Sequence, residues 1–283
     1  MVGRHAERPV ASPRARVLYV TDLTYLARGR RYGDEDIFLA GRLREHFDIA
    51  MCHPRDAAAL LPCFDAVVVR NSGPVLYYQE HYDAFRKRAV ASGARVFNEL
   101  TGKADMVGKH YLLDLHRDGY PVIPTVGRRQ DIERLPPAAQ YVVKPERGAD
   151  SVGLAIVELD QLQELSVDGL LIQPRIDFAY EVSFYFVGHA FQYALFAPDP
   201  ARRWVLEPYA PTQDDLSFAQ RFIDWNDIHH GIQRVDACRT QDGDLLLVEL
   251  EDLNPYLSLD RVSPDARESF IRDMAASLTA LLR

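Results

Sequence analysis

Apolar positions follow two different rhythms along the chain. Up to Asn98, short solid apolar runs at Arg16–Thr21 (RVLYVT), Phe47–Cys52, Ala66–Arg70 (AVVVR) and Ala94–Phe97 alternate with helix-period stretches at Glu35–His46 and Gln79–Ala91. A solid apolar strand is covered on both faces, so strands alternating with helices predict a parallel sheet packed by helices. Ligands of such sheets gather in loops beyond the carboxyl ends of the strands, which singles out Thr21–Asp36 and Arg70-Asn71-Ser72-Gly73. Beyond residue 98 the pattern changes. A helix is predicted over Lys103–His116, stopped by Gly119 and Pro121. Strands follow at Gln140–Lys144 and Leu154–Val157, then a hairpin of Glu181–Val187 and Ala190–Ala197 turning at Gly188-His189. Helices are predicted over Ser217–His230 and Pro264–Leu282. The fold class is therefore α/β followed by α+β.

The stretch Ile232–Leu257 (IQRVDACRTQDGDLLLVELEDLNPYL) reads as two strands joined at Asp242-Gly243, a dipeptide suited to a two-residue hairpin turn. Counting outward from that turn sets Thr240 opposite Leu245, Cys238 opposite Leu247, Asp236 opposite Glu249 and Arg234 opposite Glu251. Alternation then puts Arg234, Asp236, Glu249 and Glu251 on one face, with Val235, Ala237, Leu246, Val248 and Leu250 on the other. Directly opposed carboxylates repel. Hydrated surface charge is the plain explanation, but these acids interrupt strongly apolar strands. With Asn254 just beyond, they make a hard, all-oxygen set suited to Mg²⁺.

The length of 283 residues allows one large domain or two to three small ones, and 47% hydrophobic with 26% charged residues is ordinary for a globular chain. A net charge of −8 argues against a general nucleic-acid or anionic-membrane binder, and no apolar run reaches membrane-span length. Three scattered cysteines, Cys52, Cys63 and Cys238, form no zinc or disulfide framework and fit a reducing cytoplasm. Residues 1–15 carry no secretory signal and are expected to form a flexible extension.

Two further stretches carry candidate chemistry. Lys144-Pro-Glu-Arg-Gly-Ala-Asp-Ser-Val-Gly153 joins two strands through small residues whose N–H groups can face an anion, beside the Lys144 charge. It lacks the Gly-Lys-Ser/Thr ending of a Walker A loop. Leu171-Ile-Gln-Pro-Arg-Ile176, followed by Glu181-Val-Ser183, offers free backbone groups for an adenine edge and a carboxylate for ribose hydroxyls. Each alone is weak.

Their order, together with V-E-L-E-x-x-N-P in the hairpin, resembles the ATP-grasp superfamily over roughly residues 98–259. KPERGADSVG is similar to the corresponding loop of D-alanine–D-alanine ligases. The chain also resembles small ligases related to glutathione synthetase and the ribosomal-protein S6 modification enzymes, and VELEDLNPYL resembles a branch that includes natural-product ligases. The resemblance implies an ATP-grasp fold with an N-terminal parallel α/β domain over 16–98, a central subdomain over 99–172 and a C-terminal subdomain over 173–283. It implies that Lys109 and Lys144 contact ATP phosphates, with Lys103 a less well-placed substitute for the former. Ser151, Val152 and Gly153 would form the phosphate flap, Gln173 and Ile176 the adenine hinge, and Glu181 the ribose ligand. Asp236 and Glu249 would bind Mg²⁺, and Arg234 would stabilise the tetrahedral intermediate. The family's third metal ligand is Asn two residues after the Glu. Here Glu251 holds that slot, and Asn254 comes three residues later, so both stand as candidates.

The implied activity is an ATP-dependent carboxylate–amine ligation through an acyl phosphate, releasing ADP and phosphate, with ATP and Mg²⁺ as cofactors. Its partners are small-molecule carboxylate and amine substrates, and a homodimer stays open. Arg70, Asn71, Arg30 and Arg31 are candidates for a substrate carboxylate, and Asp34 or Asp36 for an amine. The 197–213 segment is expected to contribute to substrate choice. No side-chain nucleophile is needed, so Cys238 reads as packing and His229-His230 as a helix end. Two alternatives stand: a small-molecule kinase on the same fold, and a non-catalytic nucleotide-binding regulator.

Overall fold

A computed structural model describes residues 14–27, 30–70, 75–147, 153–166, 168–199 and 202–283. Strand β1 (Arg16–Val20) leads to a short ribbon of β2 (Leu26–Ala27) and β3 (Arg30–Arg31), then helix α1 (Gly33–Leu43) and β4 (Asp48–Cys52). Helix α2 (Ala57–Leu60), β5 (Ala66–Val69), α3 (Gln79–Ser92) and β6 (Val96–Phe97) follow. Strands β4-β1-β5-β6 form a sheet in that order, all parallel, as the solid apolar runs require. Val17, Leu18, Tyr19, Val67 and Val68 are all at most 1% exposed, so both faces of the sheet are covered.

The helix expected over 103–116 is broken. A 3-10 turn at Asp105–Val107 precedes α4 (Tyr111–Arg117), with Gly108 and Lys109 between them. The cause is Asp252, whose buried carboxylate accepts from Met106 N (2.7 Å) and Ala104 N (3.2 Å) and holds those amides in a tight turn. Next come β7 (Gln140–Pro145), β8 (Ala155–Glu158), α5 (Leu159–Glu164) and β9 (Leu170–Pro174), in an antiparallel sheet of order β8-β7-β9. The Pro121–Val126 stretch laces this sheet to the next one. Leu247 N donates to Pro121 O (2.8 Å), while Ile172 and Val126 exchange backbone bonds of 2.8 and 3.0 Å.

The largest sheet holds β10 (Phe178–Val187), β11 (Ala190–Ala197), β12 (Glu207–Tyr209), β13 (Ile232–Thr240) and β14 (Leu245–Glu251), in the order β12-β11-β10-β13-β14. Helix α6 (Gln213–Asn226) precedes β13, and α7 (Pro264–Leu281) ends the chain. Helix α6 starts on a capping box, Thr212 Oγ1 accepting from Asp215 N and Asp215 Oδ2 from Thr212 N. One core runs between the sheets: Val17, Tyr19 and Phe97 of the parallel sheet pack with Tyr185, Tyr193 and, from α7, Phe270 and Met274.

The β13–β14 hairpin departs from its expected geometry twice, and the departures cancel. Gly243 N donates to Thr240 O and Thr240 N to Asp244 O, with Gly243 at φ +92°. That is a three-residue turn with a left-handed glycine rather than the expected two-residue one. Near the turn, Cys238 therefore pairs with Leu246 and Arg239 with Leu245, one residue off the expected register. A bulge between Asp236 and Ala237 then inserts one extra residue in β14 and restores Asp236↔Glu249 and Arg234↔Glu251. Leu245 and Leu247 are buried instead of Leu246 and Val248, alongside Leu250, Val235 and Ala237.

Candidate active site

Beyond the bulge, β13 and β14 line one side of an open cleft. Arg234, Asp236, Glu249 and Glu251 enter it from these strands, Glu181 and Ser183 from β10, and Tyr32 and Trp204 from loops. Arg234 is the centre of the charge network. Its Nε and Nη2 donate to both oxygens of Asp236 at 2.8–3.1 Å, Nη2 to Glu251 Oε1 at 2.6 Å and Nη1 to Tyr256 O at 2.9 Å. Ser183 Oγ adds a 2.6 Å bond to Asp236 Oδ1. Burial pushes the Glu251 carboxyl well above the usual carboxylate range, against the opposing pull of Arg234. One guanidinium thus shares two acids and sets both at the cleft wall.

Two lysines stand at the other side of Glu249. Lys109 Nζ contacts the Glu249 carboxylate and lies 2.7 Å from Asp105 Oδ2. The break before α4 aims it there, its N–H donating to Glu146 O at 2.7 Å. Lys144, at the end of β7, is 8% exposed, and its hydrogen bond to Val248 O is long at 3.4 Å. Burial, aided by the neighbouring Lys109 charge, pushes its ammonium down to about 7. Lys109 thus has two carboxylate partners, and its charge opposes that of Lys144. Lys103 is elsewhere, its Nζ 2.7 Å from Trp225 O.

The remaining sequence-predicted residues divide. Glu181 pairs with Arg203 (2.7 Å) at the cleft, and its carboxyl is raised by burial against that partner's pull. Gln173 is buried with its amide donating to Thr125 Oγ1 at 2.8 Å, and the backbone of the preceding Ile172 is bonded to Val126. Ile176 is half-buried just beyond β9, and Gly153, at φ +79°, packs on Pro145. Asn254 lines a separate, smaller hollow with Asp105, Lys109 and Arg147. Of the two candidates for a third metal ligand, Glu251 shares the cleft with Asp236 and Glu249. Asn71, Ser151, Val152 and the side chain of Arg30 lie outside the described residues.

Among the substrate candidates, two readings need correction. Arg70 is 3% exposed, its Nε donating to Asp36 Oδ1 at 3.0 Å and its Nη2 lying 3.6 Å from Glu35. Asp36 also accepts from Tyr19 OH (2.8 Å) and Thr21 Oγ1 (2.6 Å) and is equally buried. These groups join α1 to the sheet by pairing in the interior, away from the cleft lining, with Arg70 Nη1 left buried and without a hydrogen-bond partner. Arg31 pairs with Asp34 (2.6 Å) on the surface, outside the cleft lining. What sequence reasoning missed is aromatic. Tyr32 and Tyr256 stack with centroids 4.5 Å apart, and Tyr185 and Trp204 complete the wall. Tyr32 lies in the flagged Thr21–Asp36 loop and Trp204 in the flagged 197–213 segment, so the segments were visible though the residues were not.

Asp236, Glu249 and Glu251 offer only carboxylate oxygens on adjacent strands, a donor set that fits Mg²⁺ and disfavours softer ions. Cys238 is buried with its thiol pushed up to about 12 by desolvation, which suits packing.

No known family profile and no curated protein matches the chain in sequence. Solved structures do match in shape. D-cycloserine synthetase DcsG superposes with TM-score 0.73 at 21% identity, covering 95% of this chain and 100% of that one. A D-alanine–D-alanine ligase from Bacillus anthracis complexed with ATP gives 0.65 at 14% identity, over 94% and 98% of the two chains. The ATP-grasp ligase PsnB, complexed with a minimal precursor, Mg and ADP, gives 0.61 at 14%, over 94% and 97%. The chain has the ATP-grasp fold. No helix among the described residues is long and apolar enough to cross a membrane.

Proposed function

We propose that the chain is an ATP-dependent carboxylate–amine ligase working with Mg²⁺. The observation that carries this reading is the cleft itself: three carboxylates and Arg234 on β13 and β14, with Lys109 contacting Glu249 and the buried Lys144 beside Lys109. Residues 16–98 would serve as the substrate domain, with 99–172 and 173–283 as the two halves of the grasp. The structural neighbours include ligases whose structures hold ATP, or Mg and ADP, which supports the same nucleotide and ion here.

Lys109 and Lys144 would hold the phosphates, and β9 with Glu181 the nucleoside. Asp236, Glu249 and Glu251 would hold Mg²⁺, which when bound neutralises phosphate charge. A substrate carboxylate attacks the γ-phosphorus, giving an acyl phosphate and ADP. The amine then attacks the acyl carbon and phosphate leaves. Arg234, pinned by Asp236, Glu251 and Tyr256 O, is positioned to meet the oxyanion of that second step without reorganising. Its pairing with two acids also suits it to an uncharged acyl centre that gains negative charge only transiently. The Tyr32–Tyr256 stack would form the substrate wall. Free cysteines, two of them buried, support a cytoplasmic setting.

Incubating the protein with ATP, Mg²⁺ and pairs of amino acids tests the proposal. Ligation releases ADP and phosphate in equal amounts only when both a carboxylate and an amine are present. ADP without free phosphate, with a stable phosphorylated product, would show a kinase instead.

A further inference from the structure

On the far side of the large sheet, three potential metal ligands converge that take no part in the cleft. His189 sits in the β10–β11 turn, and Asp227 and His229 lie in the loop after α6. One ligand atom from each lies within 4.8 Å of the others. Asp227 Oδ1 is 3.8 Å from both His189 Nε2 and His229 Nδ1. That spacing is too long for a hydrogen bond and close to the separation of two ligands on one ion. Ser183, which lines the cleft, precedes the turn by five residues of β10, so the two places are roughly 17 Å apart.

The cluster shows more than proximity. His189 Nδ1 lies 3.3 Å from Asp224 Oδ1, where only the imidazole can donate. A neutral ring with its proton on Nδ1 turns the Nε2 lone pair toward Asp227. Nε2 is itself buried and has no hydrogen-bond partner. A carboxylate behind one imidazole nitrogen, with the other nitrogen aimed at a common point, is how proteins orient a metal-binding histidine. The backbone that carries the other two ligands is fixed, while their side chains are exposed. Glu99 accepts from both His229 N (2.7 Å) and His230 N (3.1 Å), and Asp227 caps α6 in the left-handed region at φ +56°. The His229 carbonyl presses so closely on Gly188 that no side chain fits there. Helix α6 has no basic residue in its last turn, so its negative end also favours a cation at this point.

We propose that His189, Asp227 and His229 bind a divalent transition metal ion of the zinc type, oriented through Asp224. The two-nitrogen, one-oxygen set excludes Mg²⁺ as the preferred ion, and partial exposure leaves a coordination position for water. The ion would staple the end of α6 to the β10–β11 turn, independently of the ligase reading.

Untagged protein, stripped with EDTA and titrated with Zn²⁺ by calorimetry without nucleotide, tests the site. One ion binds per chain, and the melting temperature rises with Zn²⁺. His189→Gln and His229→Gln each weaken binding more than about tenfold, and Asp224→Asn, which removes no ligand, weakens it about 10–100-fold. Asp227→Asn, which retains a residue tolerant of the left-handed region, also weakens it. Asp236→Asn in the cleft leaves Zn²⁺ affinity unchanged. The absence of saturable binding overturns the proposal. So does binding that survives His189→Gln and His229→Gln together in a variant whose metal-free melting temperature is unaltered, or binding lost on Asp236→Asn.

Discussion

Raising the pH through neutrality should discharge Lys144 and so weaken ATP binding, because this ammonium is held near 7 by burial and by Lys109. A phosphate placed against it would favour the charged form, so binding should draw the proton back from solvent. With a value of about 7 in the free protein, about a tenth of Lys144 is protonated at about pH 8. Restoring the charge there costs about 1.4 kcal/mol, about tenfold in Kd for each pH unit above 7. Titrating MgATP by calorimetry at about pH 8 keeps clear of the phosphate's own titration near 6. Buffers of low and high ionisation enthalpy should return different apparent heats, corresponding to uptake of about 0.9 proton. Lys144→Arg keeps a permanent charge and should abolish the pH dependence even if the bulkier planar guanidinium weakens binding overall. Lys144→Met should bind weakly at every pH. Equal heats in both buffers, with an affinity flat from about pH 7 to 9, would refute the assignment of Lys144 to the phosphates.

The cleft carboxylates should separate by role. Asp236→Asn or Glu249→Gln should lower ADP release by at least about 10²-fold, as expected for loss of a charge stabilising the transition state, while Glu251→Asn should retain measurable turnover; complete loss there would give its carboxylate a role that an amide cannot fill. Asp252→Asn should destabilise the fold by about 1–3 kcal/mol in a urea titration, because an amide NH₂ would be turned against the N–H donors of Met106 and Ala104. Burial raises both Glu35 and Asp252 to about 7, so the folded state holds protons that the unfolded state has released. Their stabilising contribution is full below the unfolded carboxylate values and is lost as pH rises toward 7; the melting temperature of the free protein should therefore fall between about pH 5 and 7, and less so in Glu35→Gln. A melting temperature that climbs over that interval would contradict the burial of these acids.

The parallel sheet and the β10–β11 and β13–β14 hairpins were legible because solid apolar runs and alternating ones are local signals, whereas the order of strands in the sheets was not. The charged face of the hairpin was legible for a less secure reason. A turn longer by one residue and a bulge of one residue shifted the register in opposite senses, leaving Asp236 opposite Glu249. Only the apolar face betrayed the change, with Leu245 and Leu247 inside. Alternation cannot locate a bulge, since it reports each half of a strand and not their joint. The break before Lys109 was hidden for another reason. Its cause, Asp252, lies 146 residues beyond Met106.

Arg70 marks where local reasoning fails outright. It follows the carboxyl end of β5, the place where ligands of a parallel sheet collect, and on that ground it suited a substrate carboxylate. Its partners are instead Asp36 and Glu35 in the first turn of α1. Glu35 reaches further, its two oxygens accepting from Leu257 N (2.8 Å) and Leu259 N (3.2 Å). Between those amides and Glu251 lies Tyr256, whose carbonyl holds Arg234 and whose ring stacks on Tyr32. The buried Arg70 therefore acts on the cleft at one remove: it neutralises the acid that ties down the segment carrying the carbonyl that positions Arg234. Exchanging Arg70 for a smaller neutral residue should loosen that segment, and the loss would appear in the ligation step more than in nucleotide affinity, because Lys109 and Lys144 do not depend on it.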